Sequence, residues 1–156
     1  DFCNGIAQLE KYNFTYDLLI LPIHLPFAVN FVKRFPKQNF VIDHLAKPNF
    51  KANDFSEWER GISELALHKN VYCKVSGMVT EGDWKNWKAA DFNYCLDVLV
   101  SNFGIDRLMF GSDWPVSLLA ASYEESTAIV KNYFSKFSRQ DQDKIWGANA
   151  MKFYNL

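Results

Sequence analysis

The residues best suited to chemistry lie in or directly after four short apolar segments, at 16–21, 39–45, 70–76 and 107–113. His24 follows the first segment, His44 lies in the second, Lys74 in the third, and Asp113 ends the fourth. An ionised carboxylate accepts a proton from water, so we interpret Asp113 as a general base. A histidine polarises a carbonyl group or binds a metal, and His44 is the candidate for these roles.

Each of these residues also has an interpretation without function. Asp113 precedes Trp114-Pro115, and the pattern Asp-x-Pro favours a turn. His44 could be a core histidine whose ring nitrogens are hydrogen-bonded. His24 could equally lie in a surface loop or in the functional site. Lys74 is harder to explain as core, because an unpaired buried ammonium is strongly unfavourable. We therefore expect Lys74 either to pair with a carboxylate or to face a wet pocket.

Alternation along the segments predicts which side chains share a face. If His44 points inward, Ile42 does too, whereas Asp43 faces the helices and needs a partner there. The same alternation turns Lys74 and Asp113 inward. His44, Lys74 and Asp113 are thus predicted to converge on one pocket.

Amphipathic stretches with helical spacing follow the four segments, at 25–35, 55–68, 91–103 and 123–137. Trp58, Ile62 and Leu65 recur on one face of the second stretch, and Leu96 and Leu99 on one face of the third. Four repeats of strand and helix predict an α/β fold with a parallel sheet. No linker divides the chain, so we expect a single domain over residues 1–156.

Composition excludes several classes of function. Seventeen basic and eighteen acidic residues give a net charge of −1, which predicts no nucleic-acid partner and no membrane partner. No apolar run approaches the ~20 residues of a membrane span. The three cysteines form no CxxC pair, so we expect free thiols in a reducing, cytoplasmic setting.

Five motifs in order resemble one family. They are DLLI at 17–20, FVIDHLAKP at 40–48, VYCKVSG at 71–77, RLMFGSDWPV at 107–116 and GANAMKFY at 147–154. Together they are similar to the amidohydrolase-2 (amidohydrolase-related) family, in its branch of sugar lactonases of the L-fuconolactonase kind and dicarboxylate pyrone lactonases. The resemblance covers essentially the whole chain.

The resemblance implies a (β/α)₈ barrel of the TIM type, with this chain supplying about strands five to eight. A complete barrel normally needs about 250 residues, and the chain has 156. The family's His-x-His pair at the first strand is absent from this sequence. We expect a fragment of a longer enzyme, the C-terminal half of a barrel; the alternative is a half-barrel that pairs with another chain.

The family also implies roles for individual residues. Asp113 matches the aspartate that activates water, and His44 matches a histidine that binds the metal in some members and polarises the ester carbonyl in others. One divalent ion, zinc or manganese, is implied with His44 and Asp113 as ligands, and His24 would be a third if it faces inward. A metal-independent reaction remains open, because hydrogen-bond donors alone can stabilise the oxyanion of a lactone.

The predicted reaction is hydrolysis of a small-molecule lactone, with Lys74, His24, Trp84 and Trp114 as substrate-binding residues. Trp84 also fits a loop packed on the barrel rim. A homo-oligomer is one possible state of the protein. A metal-dependent decarboxylase of the same family is one alternative, although Trp114-Pro115-Val116 favours a lactonase. A catalytically silent half-barrel that serves as an assembly unit is the other.

Overall fold

The structure, a computed structural model, describes residues 1–156. Its centre is a parallel sheet of four strands in the order β1-β2-β3-β4. The strands are β1 (Tyr16–Leu18), β2 (Phe40–Ile42), β3 (Val71–Val75) and β4 (Leu108–Phe110). Strands that are consecutive in the chain are neighbours in the sheet, as in a barrel; a doubly wound sheet reverses its order. The predicted parallel α/β fold is confirmed.

Eight α-helices accompany the sheet. They are α1 (Phe2–Leu9), α2 (Leu25–Val32), α3 (Ser56–Ala66), α4 (Met78–Glu81), α5 (Asn93–Phe103), α6 (Tyr123–Phe134), α7 (Arg139–Asp143) and α8 (Asn149–Tyr154). A π-helical turn, Lys144–Ala148, joins α7 to α8. Ser138 caps α7 by accepting a hydrogen bond from the Asp141 amide. None of these helices is long and apolar enough to cross a membrane.

The two faces of the sheet have different partners. One face packs with the helices into the main core, which includes Phe40 and Ile42. Val41 and Met109 lie on the opposite, inner face, where Phe153 of α8 covers them. Helices α2, α3, α5 and α6 thus pack against one face of the sheet only. This arrangement is the fold of a half-barrel.

The helix faces predicted from periodicity are buried. Trp58 has 2% of its surface exposed, and Ile62, Leu65, Leu96 and Leu99 have none. All three cysteines are free, and burial raises the pKa of the Cys95 thiol to about 12.

Polar side chains form hydrogen bonds with the backbone at the end of the sheet where the strands begin. Four of them, Gln38, Asn70, Arg107 and Asn149, donate hydrogen bonds to backbone carbonyls there. The Asn149 amide, for instance, lies 2.7 Å from the carbonyl oxygens of both Ile105 and Leu108. These bonds tie the beginnings of the strands to the turns beside them, and some of the carbonyls, such as that of His68, also accept a backbone amide.

Leu96→Ala tests the core. The side chain is fully buried, so its truncation should leave a cavity and lower the free energy of unfolding by about 2–5 kcal/mol. Leu67→Ala is the matched control, because Leu67 is 77% exposed and should change stability by less than about 0.5 kcal/mol. Urea unfolding measures both, and equal losses would contradict this assignment of the core.

Candidate active site

A left-handed turn directly after β2 positions the first residue of the site. His44, Leu45, Ala46 and Lys47 have φ values of 51°, 56°, 57° and 53°. The alternation of side chains between the two faces ends with the strand at Ile42. The turn then brings His44 to Ser76, at the end of β3. The predicted register of β2 is therefore wrong, since Ile42 packs in the helix-side core while Asp43 reaches Lys74.

Contacts from three sides hold this turn. The indole nitrogen of Trp58 donates to the Leu45 carbonyl at 2.6 Å, and Lys47 Nζ lies 2.6 Å from Glu81 Oε1 of α4. Leu45 and Ala46 are completely buried. A left-handed conformation is unfavourable by roughly 1–2 kcal/mol for each such residue, so these contacts must offset it.

The turn brings His44 to Asp113. His44 Nε2 lies 3.6 Å from Asp113 Oδ1, and His44 Nδ1 lies 2.8 Å from the hydroxyl of Ser76. A lone pair on Nε2 would face the carboxylate, so a hydrogen on Nε2 is favoured. In the neutral ring Ser76 then donates to Nδ1, and in the protonated ring Nδ1 donates to Ser76. Ser76 thus orients the imidazole with its Nε2–H towards Asp113.

Asp113 is fixed through its backbone and its carboxylate. It has a φ of 57° and precedes the cis peptide bond Trp114–Pro115. Its carbonyl accepts a hydrogen bond from the Ser117 amide at 2.8 Å. Its Oδ2 lies 3.4 Å from the hydroxyl of Thr80, whose single hydrogen is shared between this carboxylate and the Gly77 carbonyl at 2.9 Å. Thr80 was not predicted from the sequence, because the four-residue helix α4 has no periodic pattern.

Lys74 is paired rather than free. Its Nζ lies 2.5 Å from Asp17 Oδ2 and 2.8 Å from Asp43 Oδ1, and Tyr154 donates to Asp17. Burial alone would lower the pKa of Lys74, but hydrogen bonds to these groups raise it above its usual value. Of the two alternatives left by the sequence, the structure shows pairing with carboxylates.

The other predicted substrate-binding residues lie at different distances from the pair. Trp114 follows Asp113 and is 62% exposed. Trp84 is 47% exposed, and its indole nitrogen donates to the Thr80 carbonyl at 2.7 Å. Trp114 thus adjoins Asp113 along the chain, and Trp84 is bound to the backbone of Thr80. His24 is engaged locally, since its Nδ1 accepts a hydrogen bond from the Leu21 amide at 3.1 Å.

The residues of this chain do not by themselves make a metal site. His44 and Asp113 supply one nitrogen and one carboxylate, but no group of three or more His, Cys, Asp or Glu side chains converges. A catalytic zinc normally takes three protein ligands.

Gly77→Ala tests the packing around His44. Gly77 has a φ of +65°, and a Cβ built there would lie 2.7 Å from His44 Nδ1. The variant should lose at least about 1–2 kcal/mol of stability and should shift the imidazole resonances of His44 in NMR spectra. In Gly104→Ala, φ is +66° and no neighbour lies within 4 Å. That control should lose stability without moving His44; equal shifts in both variants would contradict the close contact.

Lys74→Met tests the paired ammonium. Removal of Lys74 leaves Asp43 without its cation and Asp17 with Tyr154 alone, and the free energy of unfolding should fall by about 1.5–3 kcal/mol. Lys136→Met is the control, because Lys136 is 57% exposed and lies 3.6 Å from Asp97; its loss should stay below about 1 kcal/mol. Chemical denaturation at neutral pH measures both, and a Lys74 loss no larger than the control refutes the structural role.

Comparison with known proteins identifies the family. The amidohydrolase family model matches residues 1–156. An L-fucono-1,5-lactonase from Burkholderia multivorans is 39% identical over 166 residues, which cover 100% of this chain and 56% of that protein. The chain thus spans about half the length of the curated relatives that it matches.

Solved structures agree in fold. A zinc-bound amidohydrolase from Burkholderia multivorans superposes with a TM-score of 0.94 at 38% identity, over 99% of this chain and 57% of that one. A probable 2-pyrone-4,6-dicarboxylic acid hydrolase from Acinetobacter baumannii has a TM-score of 0.81 at 18% identity, over 97% and 56% of the two chains, which shows the fold alone. The family match extends over the whole chain, and the chain belongs to the amidohydrolase family.

Proposed function

We propose that the protein, at the length of its relatives, is a hydrolase that opens a lactone, and that residues 1–156 form the C-terminal half of its barrel as one domain. The observation that carries this proposal is the pair of His44 Nε2 and Asp113 Oδ1, 3.6 Å apart. They lie just beyond the carboxyl ends of β2 and β4. Active sites of barrels are built at that end of the strands.

In the proposed reaction Asp113 takes a proton from water while the water oxygen attacks the lactone carbonyl carbon. His44 donates its Nε2–H to the carbonyl oxygen as negative charge develops there. The tetrahedral intermediate then breaks its bond to the ring oxygen. Asp113 returns its proton to that oxygen, and the product is an open-chain hydroxy acid. Ser76 keeps the imidazole oriented, and Thr80 helps to hold the carboxylate.

The proposed substrate is a sugar lactone. Support comes from the relative named L-fucono-1,5-lactonase and from the exposed indoles of Trp114, the residue after Asp113, and of Trp84, which donates to the Thr80 carbonyl. An indole packs its apolar face against the C–H groups of a sugar ring and leaves the hydroxyls for polar partners. His24 would contribute through its Nε2, because its Nδ1 already accepts a hydrogen bond, and Lys74 through an N–H that Asp17 and Asp43 do not use.

We also propose His44 and Asp113 as the two ligands of this chain in a metal-bound form, in which a ring nitrogen of His44 would bind the ion instead of donating its hydrogen to the carbonyl oxygen. A zinc-bound structure among its relatives supports the proposal. The remaining ligands would have to come from outside residues 1–156, because no third ligand converges here.

Asp113→Asn in the full-length protein tests the base. An amide cannot accept the proton, so kcat should fall about 10²–10⁴-fold while KM changes little. A pH-indicator assay over a panel of sugar lactones provides the measurement. Asp143→Asn is the control, because Asp143 is exposed and pairs only with Arg139; it should retain full activity. Undiminished activity of Asp113→Asn would remove Asp113 from this role.

The same assay tests the reaction class. Hydrolysis of no lactone by the full-length protein with Asp113 intact would exclude the proposed function, and carbon dioxide release from aromatic acids would then favour the decarboxylase alternative.

A further inference from the structure

A small cavity lies behind Asp113, between the ends of β3 and β4 and helix α6. Its volume is about 10 Å³. Apolar side chains that include Phe110, Ile129 and Val130 form part of its wall. Four serines supply the polar part of the wall: Ser76, Ser112, Ser117 and Ser126.

Ser117 is the serine of this wall that lacks a protein partner. It is 1% exposed, and its hydroxyl makes no hydrogen bond within the protein. The others are engaged: Ser76 with His44, Ser126 with the Tyr123 carbonyl, and Ser112 with the Trp114 amide. Buried polar groups are nearly always hydrogen-bonded, so Ser117 indicates a ligand in the cavity.

The size of the cavity limits what this ligand is. A volume of about 10–15 Å³ on this scale corresponds to one water molecule, and the cavity has about 10 Å³. Phosphate, carboxylates and sugars are all too large. A buried water also needs two to four polar partners, which the serine hydroxyls provide.

We propose that this cavity binds one internal water, which bridges Ser117 to Ser76. When Ser76 donates to His44 Nδ1, its oxygen keeps lone pairs that accept a hydrogen from the water. The Ser117 hydroxyl then donates to the water oxygen. Ser117 is thereby connected through the water and Ser76 to the imidazole of His44.

The same water affects Asp113 through the backbone. The Ser117 amide donates to the Asp113 carbonyl at 2.8 Å, and the Ser117 carbonyl accepts hydrogen bonds from Ala120 and Ala121. Asp113 has the left-handed φ of 57°, so its orientation depends on such contacts. The water therefore positions both members of the His44–Asp113 pair. Its effect on rate rests on the proposed function, whereas the binding site itself does not.

A crystal structure of the full-length protein at about 1.5 Å resolution tests the site directly. We expect one well-ordered water within hydrogen-bond distance of Ser117 Oγ and Ser76 Oγ. Well-defined side chains around a cavity without density would overturn the proposal. This measurement needs no variant and is independent of any enzymatic activity.

Ser117→Ala adds a measurement in solution. If the hydroxyl binds a water, its loss should lower the melting temperature by about 2–4 °C. Thr127→Val is the matched control, because the Thr127 hydroxyl is also buried and unpaired but does not line the cavity. The control should be neutral or more stable. A rise in melting temperature for Ser117→Ala would mean that its hydroxyl has no partner, and would overturn the proposal.

Kinetics of Ser117→Ala separate the two roles of the water. A positioning role predicts that kcat falls roughly tenfold with little change in KM, less than the ~10²-fold effect of a 1 Å misplacement. Unchanged kinetics together with loss of the water would overturn the positioning role and leave the water site standing. Absence of lactonase activity in the parent would count against the proposed function, and the crystal structure would still decide the water site.

Discussion

The site depends on the four left-handed residues after β2. In a regular continuation of the strand, the residue after inward-facing Asp43 would turn towards the helices. The left-handed turn from His44 to Lys47 reverses that direction, and the fixed partners of the turn come from α3 and α4. Helix packing on one side of the sheet therefore determines the orientation of an imidazole on the other side. The close approach of Gly77 to His44 follows from the same geometry.

The polar groups around the inner face form two clusters. One is the ammonium of Lys74 between Asp17 and Asp43, with the hydroxyl of Tyr154 on Asp17. The other is His44 with Asp113. In the first cluster opposite charges are in contact, so its groups are largely satisfied. In the second, the carboxylate has a single 3.4 Å hydroxyl contact and a histidine at 3.6 Å. The Asp113 carboxylate thus has fewer and longer contacts than the carboxylates of the first cluster.

Periodicity predicted much of this fold because the helices are amphipathic and the strands apolar. The buried faces of α3 and α5 follow the three- and four-residue spacing of Trp58, Ile62 and Leu96. The register after β2 was not predictable, because alternation has no meaning once the backbone leaves the extended region at His44. The presence of a lysine in an apolar strand indicated either a carboxylate partner or a wet pocket for Lys74. Asp17 could not be identified as a partner of Lys74 from the sequence. It lies on β1, and its place in the sheet depends on the pairing of β1 with β2, which a local sequence pattern does not predict.

The side-chain amides and the guanidinium at the beginning of the strands have a consequence for the evolution of such a protein. Gln38, Asn70, Arg107 and Asn149 bind carbonyl groups whose positions do not depend on side-chain identity. None of them takes part in the contacts of His44 or Asp113. Loops at the opposite end can consequently be exchanged, lengthened or recombined while these anchors persist. Divergence towards a new substrate can proceed at one rim of the barrel, because the other rim preserves the scaffold.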